Sequence, residues 1–284
     1  MSGETENALE IQGLTVAAAS SGKVLVDNLS FSLRYGGITA LVGESGCGKT
    51  MTAAAIMGLL PAGTVKRAGS ISIGGTDTAS LSAEAYRQMR NTAVSVVMQN
   101  PMSAFDPVLT IDTHFWETLA SHGFKNRRRA REQAAESLSQ AGFPDPKTIL
   151  DLYPFQMSGG MLQRVMLAVA LFSRPALVIA DEATTDLDVV SQAKILDLLR
   201  EHCKDRAMLL ITHDFSVAKY LAQEIILMKN GALVERQEAG GFFTSPQSGY
   251  AKQLLACHQS LYTSRFKKML AVIKDHERGA HEPA

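Results

Sequence analysis

Apolar residues form short runs along the chain, and their spacing predicts strands in two settings. Leu9 to Val16 alternates apolar and polar side chains, and Val24 to Leu33 does so less regularly, which predicts half-buried strands. A further short strand, bounded by glycines, is predicted at Gly69 to Gly75. Continuous apolar runs predict strands that are buried on both faces, and these runs are Ile38–Val42, Ala93–Met98, Leu177–Ala180 and Met208–Thr212. We expect Met208–Thr212 to be the last buried strand. The pattern as a whole predicts an α/β protein that begins with a β-rich layer.

The section from Pro101 to Tyr153 has helical periodicity instead, which predicts an inserted helical subdomain. Its helical stretches include Asp112–Ser121 and the amphipathic Arg127–Ala141, and further helices are predicted after it at Leu162–Phe172, which is apolar, and Val189–His202. Arginines cluster around residue 128, but Glu132 and Glu136 follow at helical spacing. Intrahelical pairs on a solvated face therefore explain this basic run better than a nucleic-acid site does.

Composition excludes several classes of function. The 284 residues are 46% hydrophobic, and 28 Lys and Arg balance 28 Asp and Glu, so no global basic field favours DNA or RNA as a partner. The three cysteines (Cys47, Cys203 and Cys257) lack metal-site spacing and suit a reducing cytoplasm. The polar, acidic first residues predict no export signal, and no apolar stretch reaches the roughly 20 residues needed to span a bilayer.

The strongest chemical signal is a glycine-rich segment between the strand Ile38–Val42 and the predicted helix Met51–Leu60. It consists of Gly43, Glu44, Ser45, Gly46, Cys47, Gly48, Lys49 and Thr50. Glycines allow successive backbone N–H groups to point at phosphate oxygens, and the positive end of the following helix favours an anion. This pattern predicts that Lys49 contacts the β- and γ-phosphates and that Thr50 binds Mg²⁺. The alternative, a glycine-rich turn with a surface lysine, does not explain the strand and helix on either side.

Polar residues follow three other predicted strands. Gln99 comes after the second continuous apolar run, Asp181 and Glu182 follow Leu177–Ala180, and His213 follows Thr212. Ligands of α/β sheets gather at the carboxyl ends of strands, so we expect these side chains to share one site. Gln99 would contribute an oxygen to Mg²⁺ or hold the attacking water, and Asp181 would help to hold Mg²⁺. Glu182 would orient or deprotonate water, and His213 would contact the γ-phosphate. Each of these residues taken alone would be an ordinary polar or structural residue.

A second anion-binding helix start is predicted at Ser158, Gly159 and Gly160, which precede the apolar helix Leu162–Phe172. A plain serine N-cap with glycines is the alternative. Asp186 and Asp188 precede the next helix, and capping alone would explain both of these carboxylates.

In this order, these segments resemble the Walker A, Q-loop, signature, Walker B, D-loop and H-loop of ABC-type ATPases. They are the phosphate loop, Gln99, Ser158 to Gly160, Asp181 with Glu182, Asp186 to Asp188, and His213. The resemblance implies a P-loop (RecA-like) core with an antiparallel β subdomain and an inserted α-helical subdomain. It also implies ATP and Mg²⁺ as cofactors, with Asp186 and Ser158 to Gly160 among the nucleotide-binding residues. Met161 stands where the family usually has glutamine, and Ala183 where it usually has proline.

Two further stretches resemble the oligopeptide, dipeptide and nickel importer branch of that family. They are Gln99 to Pro107 and the segment from Ser245-Pro246 through Gly249-Tyr250 to Leu255. The branch implies an ATP-binding domain at 1–244, with its core at about 1–100 and 158–244 and a helical subdomain at about 101–157. Residues 245–284 would form a C-terminal extension.

The resemblance implies that the protein is an ATPase that drives import of nickel or a metal chelate, or alternatively of peptides. Its partners would be a second, different ATP-binding subunit, two membrane permease subunits and an extracytoplasmic solute-binding protein. The protein would then lie peripherally on the cytoplasmic face of a bacterial inner membrane. A DNA- or ribosome-acting ABC protein would carry a second cassette or a long coiled-coil insertion, and neither is present in the sequence. A regulator that binds nucleotide without hydrolysis is disfavoured by Glu182.

Overall fold

A computed structural model describes residues 7–185 and 187–257, together with residues 267 and 271. The strands within these residues are β1 (Asn7–Ala18), β2 (Val24–Arg34), β3 (Ile38–Val42), β4 (Thr64–Ile73), β5 (Thr76–Asp77), β6 (Val94–Val97), β7 (Leu177–Asp181), β8 (Ala207–Thr212), β9 (Glu224–Lys229) and β10 (Ala232–Glu238). The α-helices are α1 (Lys49–Ile56), α2 (Ala83–Ala93), α3 (Ile111–Ser121), α4 (Arg127–Gln140), α5 (Pro146–Leu150), α6 (Gly159–Phe172), α7 (Val189–His202), α8 (Phe215–Leu221) and α9 (Ala239–Thr244).

The continuous apolar runs build one central sheet with the strand order β10-β9-β3-β8-β7-β6. Its strands are parallel except for β10, which pairs antiparallel with β9. Val42 at the end of β3 lies beside Thr212 at the end of β8, and Asp181 at the end of β7 lies beside Ile211. The segments that follow β3, β6, β7 and β8 therefore leave the sheet at the same edge.

The two faces of the central sheet are covered by different layers. One face, which includes Leu41 and Ile179, shares a core with α1 and with the antiparallel sheet of order β2-β1-β4-β5. The other face, which includes Ala40 and Ala180, packs against helices. The side chains alternate between these two cores along each strand, as the period of a strand requires.

Helices α3, α4, α5 and α6 pack together through apolar side chains such as Phe115, Leu138 and Leu162. Arg131 also joins α4 to two neighbouring segments, through Asp112 at 3.2 Å and Asp151 at 2.7 Å. In the basic run, Arg128 pairs with Glu132 at 3.3 Å on an exposed face. The predicted intrahelical pairing of this run is confirmed at that position.

The predicted α/β class, with an antiparallel β layer and a helical insertion, is confirmed. The prediction that Met208–Thr212 is the last buried strand is wrong, because β9 follows it and pairs directly with β3. The apolar run of β9 spans only four residues between Glu224 and Lys229. A four-residue run has no period that separates strand from helix, and unlike the equally short run Leu177–Ala180 it is not followed by chemically distinctive residues. The phosphate-loop helix begins at Lys49 and ends at Ile56, earlier at both ends than predicted.

Residues 249–257 are helical and pack against the helix-covered face of the sheet. Ala251 is fully buried there, and Leu254 and Leu255 are each 8% exposed. None of the helices within the described ranges has the length and apolar character needed to cross a bilayer.

Candidate functional site

The glycine-rich segment is a tight loop at the end of β3. Gly43 and Gly48 both have positive φ angles, of 154° and 108°. A Cβ atom on Gly48 would lie 2.6 Å from the carbonyl oxygen of Leu25, and one on Gly43 would clash with the carbonyl oxygen of Met228. Only glycine fits these positions, because the backbone of neighbouring strands approaches the loop too closely for a side chain.

Lys49, at the start of α1, turns its side chain back into this loop. The side chain is 5% exposed, and Nζ donates to the carbonyl oxygens of Gly43 at 2.8 Å and Glu44 at 2.9 Å. A buried ammonium needs such acceptors because burial removes its water. The loop therefore holds a positive charge beside backbone N–H groups, which is the arrangement that binds phosphate.

The turn between β9 and β10 holds the other side of the phosphate loop. Gly231 donates its backbone N–H to the carbonyl of Cys47 at 2.9 Å, and Asp27 of β2 donates its N–H to the carbonyl of Gly231 at 2.9 Å. This contact was not predicted, because β9 itself was not predicted.

Asp181 lies at the end of β7, beside Thr50. Burial raises the pKa of the Asp181 carboxyl above its ordinary value, while the Thr50 hydroxyl lowers it. The negative charge of Glu182 also raises this pKa, and the positive charge of Lys49 lowers it. Oδ1 of Asp181 is buried and has no hydrogen-bond partner among the residues that the structure describes. A carboxylate oxygen and a hydroxyl oxygen are ligands that Mg²⁺ takes, so the residues present fit this ion.

Glu182 and His213 form a pair at the ends of β7 and β8. Nδ1 of His213 lies 3.0 Å from Oε1 of Glu182. An ionised carboxylate only accepts hydrogen bonds, so this contact places the proton of the neutral ring on Nδ1. Glu182 is 19% exposed and His213 is 51% exposed, so both can be reached from the solvent side of the sheet edge.

The remaining predicted site residues lie at several places. Gln99 follows β6 at the same sheet edge and is exposed. Ser158 caps α6 by accepting a hydrogen bond from the N–H of Met161 at 3.3 Å. Gly160 lies near Ser191 at the start of α7. Among the described residues, no hydrogen bond connects the segment 158–160 with the phosphate loop. Asp186 lies outside the described residues.

Two further residues next to the site were not recognised from the sequence. Gln163 of α6 is buried and hydrogen-bonds to the turn after Glu182. Tyr250 has a buried hydroxyl group, and the centroid of its ring lies 4.2 Å from Nζ of Lys229. The Glu44 side chain interacts electrostatically with this hydroxyl. Burial raises the pKa of the Tyr250 hydroxyl, and the Glu44 carboxylate adds to this effect. The available signal for Gln163 was that it and Arg164 are polar residues within a largely apolar helix.

Several proteins are similar in sequence to this chain over most of its length. The nickel import ATP-binding protein NikD of Brucella abortus biovar 1 (strain 9-941) is 42% identical over 262 residues, which cover 91% of this chain and 97% of that protein. NikD of Rhodospirillum rubrum is 39% identical over 90% of this chain and 97% of that protein. The peptidoglycan transport ATP-binding protein YejF of Agrobacterium fabrum is 40% identical over 89% of this chain but only 47% of its own length.

Solved structures share the fold. A dimeric post-hydrolysis state of the ATP-binding cassette MJ0796, bound to ADP and Pi, has a TM-score of 0.72 and 24% identity, and covers 81% of this chain and 98% of its own. The cbiO1 protein of Clostridium perfringens has a TM-score of 0.73 and 19% identity, and covers 91% of this chain and 98% of its own. The family model described as ABC transporter matches residues 26–185, which contain the phosphate loop, Gln99, Ser158 to Gly160 and the Asp181–Glu182 pair. The chain therefore belongs to the ABC transporter family, as an ATP-binding subunit with the ATPase fold.

Proposed function

We propose that this protein hydrolyses ATP to drive the import of nickel or a nickel chelate. Two relatives named as nickel import proteins match it at 39% and 42% identity over 97% of their own lengths, and this observation carries the choice of cargo. The ATPase assignment has independent support in the arrangement of Lys49, Asp181 and the Glu182–His213 pair at one sheet edge.

ATP would bind with its phosphates against the backbone N–H groups of residues 43–50. Lys49 would exchange its contacts with the two loop carbonyls for contacts with the β- and γ-phosphates, which offer a stronger, charge-assisted hydrogen bond. Mg²⁺, held by Thr50, Gln99 and Asp181, would supply positive charge to the phosphate oxygens.

Glu182 would act as the general base that takes a proton from the attacking water. The hydrogen bond from Nδ1 of His213 fixes the direction of the Glu182 carboxylate. Phosphate oxygens only accept hydrogen bonds, so a γ-phosphate contact from Nε2 would use the imidazolium form of His213, which carries a proton on each nitrogen. Both side chains stand on neighbouring strands of a rigid sheet, which favours catalysis because little reorganisation is needed.

The start of α6 would complete the site of a partner subunit. Ser158, Gly159 and Gly160 would bind the γ-phosphate held by that subunit, while the partner's equivalent segment completes this one. Asp186, in the segment before α7, would add a nucleotide contact at the same interface. ATP would then hold the two subunits together, and hydrolysis would release them.

The proposed assembly contains a second ATP-binding subunit of different sequence, two integral membrane permease subunits and an extracytoplasmic solute-binding protein. The protein would lie on the cytoplasmic face of a bacterial inner membrane. Residues 1–244 would form the ATP-binding domain, and residues 245–284 would form the C-terminal extension. The helical subdomain at about 101–157 would transmit the opening and closing of the two ATP-binding subunits to the permease.

Peptide import is the second candidate, and the similarity to YejF favours it. The experiment that separates the two measures the ATPase rate of the complex in proteoliposomes. The solute-binding protein is added empty, loaded with chelated nickel, or loaded with a short peptide. Stimulation by the nickel form alone supports the proposal, while stimulation by the peptide form alone moves the function to peptide uptake.

A further inference from the structure

Gln163 is a buried polar residue in the first half of α6, and it carries an inference beyond the proposed catalytic set. Its side chain is 1% exposed, and its neighbours Leu162 and Val165 are apolar and fully buried. Burying an amide is unfavourable unless its donors and acceptors are paired, so the partners of Gln163 indicate what the residue does.

Both hydrogen bonds of the Gln163 amide end on backbone carbonyls next to catalytic side chains. Nε2 donates to the carbonyl of Ala183 at 2.6 Å and, more weakly, to the carbonyl of Met98 at 3.4 Å. Ala183 directly follows Glu182, and Met98 directly precedes Gln99. One side-chain amide therefore joins α6 to both loops that carry proposed catalytic groups.

The loop after β7 is one that needs such support. Glu182 has a φ angle of 50°, a left-handed conformation that is unfavourable for a residue with a Cβ atom. Its N–H donates to the carbonyl of Ile211 at 2.9 Å, and its carbonyl accepts from the N–H of Thr185 at 3.0 Å. The next carbonyl, that of Ala183, receives its hydrogen bond from Gln163. The orientation of the Glu182 carboxylate thus depends on where α6 lies.

We propose that Gln163 is a positioning residue that couples the Ser158–Gly160 end of α6 to Glu182 and Gln99, so that each ATP site of the dimer senses the other. This inference rests on the proposed function, in which that end of α6 binds the partner's nucleotide. When α6 shifts on binding the partner's nucleotide, the hydrogen bonds of the Gln163 amide move the backbone at Ala183 and Met98. The catalytic groups of this chain reach their working positions only when its own α6 is engaged across the interface.

Another hydrogen bond to the same helix provides the matched control. Oγ of Ser137 in α4 donates to the carbonyl of Ala168 in α6 at 3.1 Å. This hydrogen bond also joins α6 to a neighbouring segment, but it ends on neither catalytic loop. Removing it tests what the loss of one hydrogen bond to α6 does by itself.

The test compares Gln163→Met with Ser137→Ala in the reconstituted transport complex. Methionine is close to glutamine in volume and has no donor. For Gln163→Met we expect the maximal rate of ATP hydrolysis to fall about 10- to 100-fold, the effect of a small misplacement of catalytic groups. The KM for ATP should stay within about twofold, since the phosphate loop is untouched, and the cooperativity of hydrolysis in ATP should disappear. Ser137→Ala should keep rate, KM and cooperativity.

Three outcomes would overturn the proposal. They are an unchanged rate in Gln163→Met, an equal loss in Ser137→Ala, and a Hill coefficient of one in the unaltered complex. Gln163→Asn, which keeps the amide but is one methylene shorter, provides a second variant if the methionine packs poorly. It should bind ATP normally and hydrolyse it slowly, and wild-type turnover there would also reject the role. Failure of the proposed function is distinguished by the unaltered complex, because absence of ATP hydrolysis there would reject it. Normal turnover in Glu182→Gln, run in parallel, would reject only Glu182 as the base.

Discussion

At the residue scale, we expect the surroundings of Lys49 to determine nucleotide affinity most directly. Its ammonium is buried and bonded to two loop carbonyls, so ATP must compete with these contacts. Lys49→Ala removes a charged donor, and we expect ATP binding to weaken by about 1.5–3 kcal/mol, or roughly 10- to 150-fold. Fluorescent nucleotide titration measures this, with the exposed Lys66→Ala as the control for loss of one positive charge. Unchanged ATP affinity in Lys49→Ala would reject its role.

Glu182 provides the second prediction at this scale, because it is the proposed base and is oriented by His213. Glu182→Gln keeps the shape of the side chain and removes its basicity. We expect turnover to fall by about 10²- to 10⁴-fold, the usual contribution of a general base. ATP binding should be retained, because the phosphate loop is unchanged.

Single-turnover hydrolysis with radiolabelled ATP measures this effect directly. Glu201→Gln on α7 is the control, since Glu201 is exposed. Normal hydrolysis in Glu182→Gln would mean that another group activates the water.

Among the elements, the C-terminal segment (residues 245–257) depends on one buried carboxylate of β10. Glu235 is 6% exposed and accepts the backbone N–H groups of Gln247 at 2.9 Å and Ser248 at 2.8 Å. Glu235→Gln leaves one of these N–H groups facing an amide donor, which costs about 1–3 kcal/mol of local stability. Hydrogen exchange of residues 248–257 should accelerate by roughly 5- to 100-fold, while the exposed Glu238→Gln should leave it unchanged. Equal protection in the two variants would contradict this docking role.

The same carboxylate makes the docking of the segment sensitive to acid. Burial alone would raise the pKa of Glu235, but the hydrogen bonds from Gln247 and Ser248 and the charge of Lys252 outweigh burial and lower it below 4.5. A carboxyl group whose pKa is lower in the folded state stabilises that state when the pH is above the pKa of the unfolded chain. This stabilisation is lost as the pH falls through the pKa of the folded state. We therefore expect pepsin to cleave the segment increasingly below about pH 4.5. In Glu235→Gln this pH dependence should be weaker, and an identical profile would contradict the assignment.

The elements also indicate how far the sequence could be interpreted. The phosphate loop and the strands β3, β7 and β8 were predicted because continuous apolar runs end in chemically distinctive residues. β9 was missed because its four-residue apolar run is not followed by such residues, although it pairs with β3 and its following turn holds the loop at Cys47. The contact between Gln163 and Ala183 could not be predicted, because it joins residues 20 positions apart through tertiary packing.

At the scale of the whole molecule, one chain holds only part of each proposed ATP site. Lys49, Asp181, Glu182 and His213 gather at one edge of the sheet, while Ser158 to Gly160 start a helix that lies against α7. A family whose members act in pairs explains this separation, since a second subunit would place its own helix start over the phosphates. The separation also allows the interface to be tested without disturbing the fold.

Gly159 is suited to that test because, among the described residues, a side chain added there meets open space. No heavy atom of the described chain, apart from its own helix backbone and sequence neighbours, lies within 4 Å of a Cβ added there. A glutamate is also favourable in the first turn of a helix. Gly159→Glu should therefore leave the melting temperature of the isolated subunit unchanged. If this residue faces the γ-phosphate bound by a partner, the added charge costs several kcal/mol across the interface.

We expect ATP-driven association with the partner subunit to weaken roughly 100-fold in Gly159→Glu, because two negative charges would be forced together without water. Light scattering after gel filtration measures this, in a Glu182→Gln background that retains ATP. Gly240→Glu is the matched control, since Gly240 lies in the first turn of α9 and is equally open. Association that survives Gly159→Glu would place the start of α6 away from the nucleotide. Association that fails equally in both variants would attribute the loss to added charge alone.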